Sequence, residues 1–182
     1  MAEGGTDLGH WSVSWSDLDR LREARSKISG LKMFQQIVEE ELPRAPFAMV
    51  VGFRPVEVAP DKVKFRLDVG DQLDNGAGLV HGGAIASLLD IALAAAAQTQ
   101  VQAGETYLTV NLSIEYINTV EILASHLECV AEIIEIAGDV ARTEAVVYDP
   151  EGQVVARGSS KCKKVRYRSK IKRHVSHQSV DD

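Results

Sequence analysis

The sequence predicts an α+β domain in which an antiparallel sheet packs against one long, mainly apolar helix. Residues 84–97 are rich in alanine and leucine and contain two polar residues, Ser87 and Asp90, which indicates a buried helix. Two strand-like segments precede that helix and four follow it. Because strands and helices do not alternate along the chain, a sheet on one side of a single helix is favoured over a parallel βαβ arrangement.

The chain of 182 residues has the composition of an ordinary globular protein, with 45 % hydrophobic and 25 % charged residues. That length suffices for one domain with a core plus terminal segments. We expect a helical N-terminal extension at residues 1–45, the main domain at 46–165 and a basic, disordered tail at 166–182.

Residues 15–41 are predicted to form one helix that packs on the domain as an appendage. Ser16 is the candidate N-cap, and Gly30 is a weak point in the helix interior. Pro43 and Pro46 end the segment. Apolar residues recur along it with helical spacing: Leu18, Leu21, Ile28, Leu31, Phe34 and Ile37.

Residues 48–58 and 62–69 are rich in residues that favour strands and flank a turn at Pro60-Asp61, which predicts a hairpin. A glycine-rich loop at 75–83 leads into the helix, which is expected to end near residue 99. The remaining strands, the last three joined by turn residues, are predicted at 107–117, 126–136, 140–148 and 154–165.

The net charge of −6 conceals a basic C-terminus. Residues 161–182 contain eight Lys or Arg and two Asp, a net charge of +6, so residues 1–160 carry −12. Such asymmetry is compatible with contact to RNA, phosphate or a membrane surface. We favour a solvated tail and expect no nucleic-acid partner, because Tyr167 is the only aromatic residue there and single-strand binders need several.

The sequence predicts a cytoplasmic protein without a membrane span. Its longest apolar run falls short of the roughly 20 residues that cross a bilayer, and the N-terminus lacks the features of a signal peptide. Cys129 and Cys162 belong to no CxxC motif or Cys/His cluster. We therefore expect two reduced thiols, with neither a disulfide nor a zinc site.

Asp90 is the main candidate for chemistry. An ionised carboxylate inside an apolar helix costs several kcal/mol unless a partner or a function retains it. A structural carboxylate paired with a buried donor is the alternative.

Gly82 and Gly83 stand where the helix begins, so their N–H groups lack intrahelical acceptors and can hold a polarised carbonyl oxygen. Asn75 can add a side-chain amide donor. The alternative is that these glycines only shape a turn and that His81 is a structural histidine.

Eight residues separate Gly82 from Asp90, which corresponds to about 12 Å along one helix. One substrate carbonyl cannot reach both, so both act together only if they come from different subunits related by a two-fold axis. Self-association is expected, because the alanine-rich side of the helix has little to bury against in its own chain and permits close approach. Joining of two sheets edge to edge is one way to achieve it.

The residues of this region resemble those of the hotdog-fold acyl-CoA thioesterases, in the group that includes the phenylacetate-pathway thioesterases. The resemblance lies in Asn75, in His81-Gly82-Gly83 six positions later, in Asp90 nine positions after the histidine, and in the strand LTVNLSIEY at 108–116. It covers about residues 46–165. It implies a sheet wrapped around a central helix, and a homodimer or homotetramer.

The resemblance also implies residue roles. The Gly82 amide and Asn75 polarise the thioester carbonyl, and Asp90 of the neighbouring subunit acts as general base or as nucleophile. Thr109 helps to orient the water, and His81 braces the Asn75 loop. No metal or redox cofactor is implied, since coenzyme A is part of the substrate.

Further residues are candidates for binding the substrate. Gly83 and Ser87 lie on the helix, and basic residues are candidates for the phosphates of coenzyme A: Arg142, Arg157, Lys161, Lys163 and Lys164. Two other functions stay open, a non-catalytic acyl-CoA sensor and an enoyl-CoA hydratase of the same fold. The acyl chain cannot be named from the sequence.

Overall fold

The computed structural model describes residues 9–15 and 18–167. The predicted α+β class is confirmed, since six antiparallel strands form one sheet and a long helix packs on it. The helices are α1 Asp19–Lys27, α2 Gly30–Val38, α3 Pro46–Val51 and α4 Gly82–Gln98. The strands are β1 Phe53–Ala59, β2 Lys62–Asp68, β3 Glu105–Tyr116, β4 His126–Ala137, β5 Val140–Tyr148 and β6 Val154–Arg166.

The sheet has the strand order β1-β2-β4-β5-β6-β3, with every neighbouring pair antiparallel. Within the described residues, the strand that follows α4 in the chain, β3, therefore lies at one edge of the sheet and pairs only with β6. Two of its exposed side chains are apolar, since Leu108 is 54 % and Val110 61 % exposed. This edge of the sheet is therefore partly apolar.

The core lies between α4 and the inner face of the sheet. Leu88, Leu89 and Leu93 of α4 are fully buried, as are Leu127 and Val147 of the strands that they face. Burial of each such side chain stabilises the fold by about 1.5–3 kcal/mol. Hydrophobic packing therefore fixes the position of α4 on the sheet.

The single N-terminal helix predicted at 15–41 is wrong, because the chain forms α1 and α2 with a break at Ile28, which is extended. Ser29 caps the second helix by accepting a hydrogen bond from the Lys32 N–H, a local interaction that competes with helix continuation. The predicted N-cap, Ser16, lies outside the described residues.

Gly30 is not a weak helix-interior position but the first residue of α2. A Cβ atom there would lie 1.9 Å from the Gln98 carbonyl oxygen, so glycine permits α2 to begin directly against the end of α4. Its N–H also donates to the Val101 carbonyl over 3.1 Å. These contacts fasten the extension to the domain.

The strand predicted at 48–58 is also wrong in its first half. Pro46 at the start of α3 favours a helix, and Gly52, with φ of 96°, ends it in the left-handed conformation that helix ends commonly adopt. The strand β1 begins only at Phe53. The hairpin with β2 around Pro60-Asp61 is confirmed.

The expectation that the alanine-rich side of α4 is uncovered is wrong as well. Ala92, Ala95 and Ala96 are at most 1 % exposed and belong to the same core cluster as Met33 and Phe34 of α2. What remains accessible is a narrow stripe with helical spacing, whose half-buried members include Ala86, Ser87, Asp90, Ile91 and Ala94. Any partner must approach α4 along this stripe.

Within the described residues, no helix has both the length and the apolarity needed to cross a membrane. The predicted basic tail falls, from residue 168 onward, outside the part of the chain that the structure describes.

Candidate active site

The candidate site is built around Asp90 in the middle of α4. Its Oδ1 accepts a hydrogen bond from the Thr109 hydroxyl, with 2.9 Å between the oxygens. Thr109 lies on the edge strand β3, next to an irregularity in the pairing with β6 between Thr109 and Asn111. The contact holds one carboxylate oxygen, and Oδ2 has no hydrogen-bond partner in residues 9–15 and 18–167.

Asp90 is half-buried in the single chain, not fully buried as the sequence suggested. It belongs to the accessible stripe of α4, because its position projects toward the sheet edge and not toward the core. Its desolvation is therefore smaller than expected for a core carboxylate. One side of the group is open to a substrate or a partner.

A buried thiol lies next to Thr109 on the neighbouring strand. Cys162 of β6 is the register partner of Thr109, is fully buried, and lies with its Sγ 3.3 Å from the Ser160 hydroxyl. Burial raises the pKa of the Cys162 thiol; hydrogen bonds with Ser160 and Thr109 oppose the shift, and the Asp90 charge adds to it. Cys129 and Cys162 are both free.

The loop before α4 is organised by side chains that bond its own backbone. Asp74 Oδ1 accepts from the N–H groups of Gly76 and Gly78, over 2.6 and 3.1 Å. Asn75 Oδ1 accepts from the Ala77 N–H over 2.8 Å, so its carbonyl oxygen is committed to the loop. Asn75 is exposed, and its Nδ2 group is available to donate.

His81 is the N-cap of α4. Its Nδ1 accepts from the Gly83 N–H over 2.8 Å, so in the neutral ring the proton is on Nε2. A Cβ on residue 83 would lie 2.9 Å from Nδ1, which explains a glycine there. The backbone N–H of His81 donates to the Leu73 carbonyl, so the residue also ties the loop to the helix.

Because Gly83 donates to His81, the two glycine amides are not equivalent. The Gly82 N–H has no acceptor within the described part of the chain and is free to bind a ligand oxygen. The Tyr116 hydroxyl donates to the Gly82 carbonyl over 2.9 Å and so fixes the next peptide, between Gly82 and Gly83. Tyr116 was part of the strand motif, but a contact across 34 positions is not readable from the sequence.

Within one chain, Gly82 and Asp90 do not converge. They are eight residues apart on a continuous helix, which places them about 12 Å apart along its axis. Ser87 lies between them and donates its hydroxyl to the Gly83 carbonyl over 2.9 Å. A single chain therefore holds the Asp90 carboxylate and the Gly82 N–H donor at two separate places on the helix.

The basic candidates lie away from this site. Arg142, Arg157 and Lys163 are exposed on the outer face of the sheet, whereas the neighbouring Ala141 and Cys162 face α4 and are fully buried. Arg142 lies 3.7 Å from Glu135 in an exposed ion pair. In a single chain they do not reach Asp90, and their binding of coenzyme A stays a prediction.

Residues 77–156 match the family model of the thioesterase superfamily, which includes the helix start, Asp90 and Thr109. No curated protein matches the sequence.

Solved structures with this fold cover most of the described domain. A thioesterase from Haemophilus influenzae has 13 % identity and a TM-score of 0.66, with 82 % of this chain and 97 % of that chain covered. A conserved protein from Pseudomonas aeruginosa has 25 % identity and a TM-score of 0.62, with 67 % and 95 % covered. A mutant of the phenylacetic acid degradation protein PaaI from Thermus thermophilus has 22 % identity and a TM-score of 0.60, with 65 % and 98 % covered. These similarities, together with the family match, confirm the predicted hotdog fold.

Proposed function

We propose that this chain, which has the hotdog fold, is a member of the thioesterase superfamily and hydrolyses an acyl-CoA thioester to a free acid and coenzyme A. The observation that carries the proposal is the Asp90–Thr109 contact on the accessible stripe of α4. A carboxylate that is fixed through one oxygen and open at the other is suited to take a proton from water or to attack a carbonyl carbon.

In the general-base form of the mechanism, water lies between Asp90 Oδ2 and the thioester carbonyl carbon. Asp90 takes a proton as the water oxygen bonds to that carbon, and negative charge develops on the carbonyl oxygen. The Gly82 N–H and Asn75 Nδ2 stabilise this charge. The C–S bond then breaks, and the proton on Asp90 passes to the departing thiolate.

Thr109 has two roles in this scheme. Its hydroxyl donates to Oδ1 and so orients the carboxylate, and its oxygen can accept a hydrogen bond from the attacking water. In the nucleophilic form of the mechanism, Oδ2 attacks the carbonyl carbon directly, the C–S bond breaks and the CoA thiolate leaves. Water then hydrolyses the resulting anhydride to the free acid and the Asp90 carboxylate, and the proton that this water releases passes to the thiolate. Both forms start from the same arrangement of Asp90 and Thr109.

The function requires a homodimer, because Gly82 and Asp90 of one chain are too far apart to act on one carbonyl. We propose that two copies pair along β3, whose edge carries the exposed Leu108 and Val110. Two antiparallel α4 helices then place the start of one near the middle of the other. A cytoplasmic location and further association into tetramers stay predictions.

The test is release of thiol from a panel of aryl-, short-chain and long-chain acyl-CoAs, with Asp90→Asn beside wild type. We expect turnover by wild type and a loss of about 10²–10⁴-fold in kcat in the variant, the usual contribution of a positioned acid or base. Binding of acyl-CoA should persist in the variant. Binding without turnover in wild type would favour an acyl-CoA sensor, and near-normal turnover by Asp90→Asn would remove this residue from the mechanism.

A further inference from the structure

An open cavity of about 310 Å³ lies between the second half of α4, the start of β3 and the N-terminal helices. Its walls are mainly apolar and include Phe34 of α2, Ile91, Ala94 and Ala95 of α4, and Leu108 of β3. Ile91 follows Asp90 in the chain and Leu108 precedes Thr109. One end of the cavity is thus lined by the chain neighbours of the two site residues.

The far end of the cavity is polar. Gln98 Oε1 accepts from the Tyr107 N–H over 2.9 Å and from the Thr106 hydroxyl over 3.2 Å. Arg25 of α1 donates from Nη1 to Thr106 Oγ1 over 2.8 Å. Arg25, Gln98 and Thr106 thus form a connected group that the N-terminal extension completes.

Within the described residues, this group contains a buried donor without an acceptor and a cation without an anion. Gln98 is 4 % exposed, and its buried Nε2 has no hydrogen-bond partner within the described residues. Buried polar groups in folded proteins nearly always have a partner, so an orphaned amide indicates that something is missing.

Arg25 is a cation without an anion. No carboxylate of residues 9–15 or 18–167 lies within ion-pair distance of its guanidinium, which stacks 5.6 Å from the Tyr167 ring centre. Burial lowers the pKa of Arg25, yet a guanidinium keeps its proton in proteins. A desolvated, unpaired charge is costly, and a carboxylate is the group that a guanidinium and an amide NH₂ bind best together.

The spacing of residues along α4 places Asp90 and the polar end of the cavity on the same side of the helix. Asp90, Ala94 and Gln98 are four residues apart and so lie on one face of the helix. The distance from Asp90 to Gln98 along the axis is about 12 Å. An extended chain with its thioester at Asp90 can therefore present its other end to Gln98 and Arg25.

We propose that this cavity holds the acyl group of the substrate and that Arg25 and Gln98 bind a carboxylate at its distal end. The substrate class is then the CoA thioesters of dicarboxylic acids. This inference rests on the proposed thioesterase function. The methylene groups contact Ile91, Ala94 and Leu108. The distal carboxylate supplies the acceptor that Gln98 Nε2 lacks and the negative charge that the Arg25 guanidinium lacks.

The test compares kcat/KM for matched pairs of substrates: adipyl- against hexanoyl-CoA, suberyl- against octanoyl-CoA, and sebacyl- against decanoyl-CoA. Wild type should prefer the dicarboxylyl member of at least one pair. Arg25→Met should lower that preference by roughly 10- to 100-fold, because hydrogen bonds to charged groups are among the strongest in proteins. Arg25→Lys, which keeps the charge, should restore part of it.

Two further variants sharpen the result. Gln98→Glu keeps the acceptor for Tyr107 and Thr106 but replaces the NH₂ group by an oxygen, and should lower the preference further. Arg22→Met removes a guanidinium from the same helix outside the cavity and should leave the preference unchanged. Thermal melting of each variant identifies any that fail to fold.

Calorimetric binding of adipyl- and hexanoyl-CoA separates this inference from the proposed chemistry. If no acyl-CoA is hydrolysed but adipyl-CoA binds more tightly and Arg25→Met removes the difference, the hydrolase proposal fails and the carboxylate site stands. If wild type hydrolyses acyl-CoAs without preferring any dicarboxylyl member, the inference is overturned while the function stands. An equal effect of Arg22→Met and Arg25→Met would also overturn it.

Discussion

The Thr109 hydroxyl donates to Asp90 Oδ1 over 2.9 Å and thereby joins the middle of the central helix to the edge strand of the sheet. This contact places the carboxylate at the boundary of the single chain, on the accessible stripe of α4 and beside the unpaired edge of β3. The same boundary is where a second copy must lie if Gly82 is to take part. The proposed chemistry and the proposed assembly thus depend on one surface.

Replacement of Thr109 by alanine should lower kcat about tenfold, a smaller effect than that of Asp90→Asn. The change removes one hydrogen bond to a charged group, worth about 1.5–3 kcal/mol at most, but leaves the carboxylate in place. Steady-state thiol release measures the effect, with Thr109→Ser as the control that keeps the hydroxyl. A larger loss in Thr109→Ala than in Asp90→Asn would indicate that the threonine, and not the aspartate, leads the mechanism.

Replacement of Gly82 by proline should lower kcat by about 10²–10³-fold, the usual effect of removing one oxyanion donor. Proline removes the free N–H but suits the first position of a helix, and His81 before it has the extended conformation that proline requires. Circular dichroism checks that the fold is kept. Gly82→Ala retains the N–H, and a Cβ there meets the Tyr116 ring only at an ordinary 3.5 Å.

If kcat of Gly82→Ala were as low as that of Gly82→Pro, the small size of glycine, and not its N–H, would explain why this position requires glycine.

Replacement of Gly30 by alanine should destabilise the fold by about 1–3 kcal/mol, the usual cost of overpacking. The new Cβ would lie 1.9 Å from the Gln98 carbonyl oxygen, so α2 or the end of α4 must shift. For a protein of this size, that corresponds to a fall in Tm of roughly 2–4 °C for each kcal/mol. Gly9→Ala, which meets no atom within 4 Å, is the control. An unchanged Tm in Gly30→Ala would mean that the extension is not packed as described.

The sequence was most informative where periodicity and local turn chemistry decide the structure. The limits of β5 and the apolar nature of α4 follow from the strand and helix patterns, and the hairpin follows from Pro60-Asp61. It was least informative where tertiary contacts decide. In the sequence, Gly30 appears only as a residue that weakens a helix. Its role becomes clear from its close approach to Gln98 in the folded chain.

The candidate site divides in the same way. Asp90 can be singled out from the sequence because a carboxylate conflicts with an apolar helix. Gly82 and Asn75 can be singled out because they offer hydrogen-bond donors beside the start of that helix. Two hydrogen bonds could not be predicted because they depend on the folded geometry. One is from the Gly83 N–H to His81 Nδ1, and the other is from Arg25 to Thr106. The distance between Arg25 and Thr106 in the chain, 81 positions, leaves no local signal.

Mixed dimers test whether the site is shared between subunits. In a heterodimer of Asp90→Asn and Gly82→Pro chains, one site combines Asp90 of the second chain with Gly82 of the first, and the other site has lost both groups. Such a heterodimer, purified by two different affinity tags, should have about half the wild-type activity because one of two equivalent sites is intact. Both parent homodimers should be nearly inactive. A heterodimer of Asp90→Asn with wild type serves as the reference for a single working site. If Asp90 and Gly82 acted within one chain, no chain of the first heterodimer would hold both groups, and it would be as inactive as its parents.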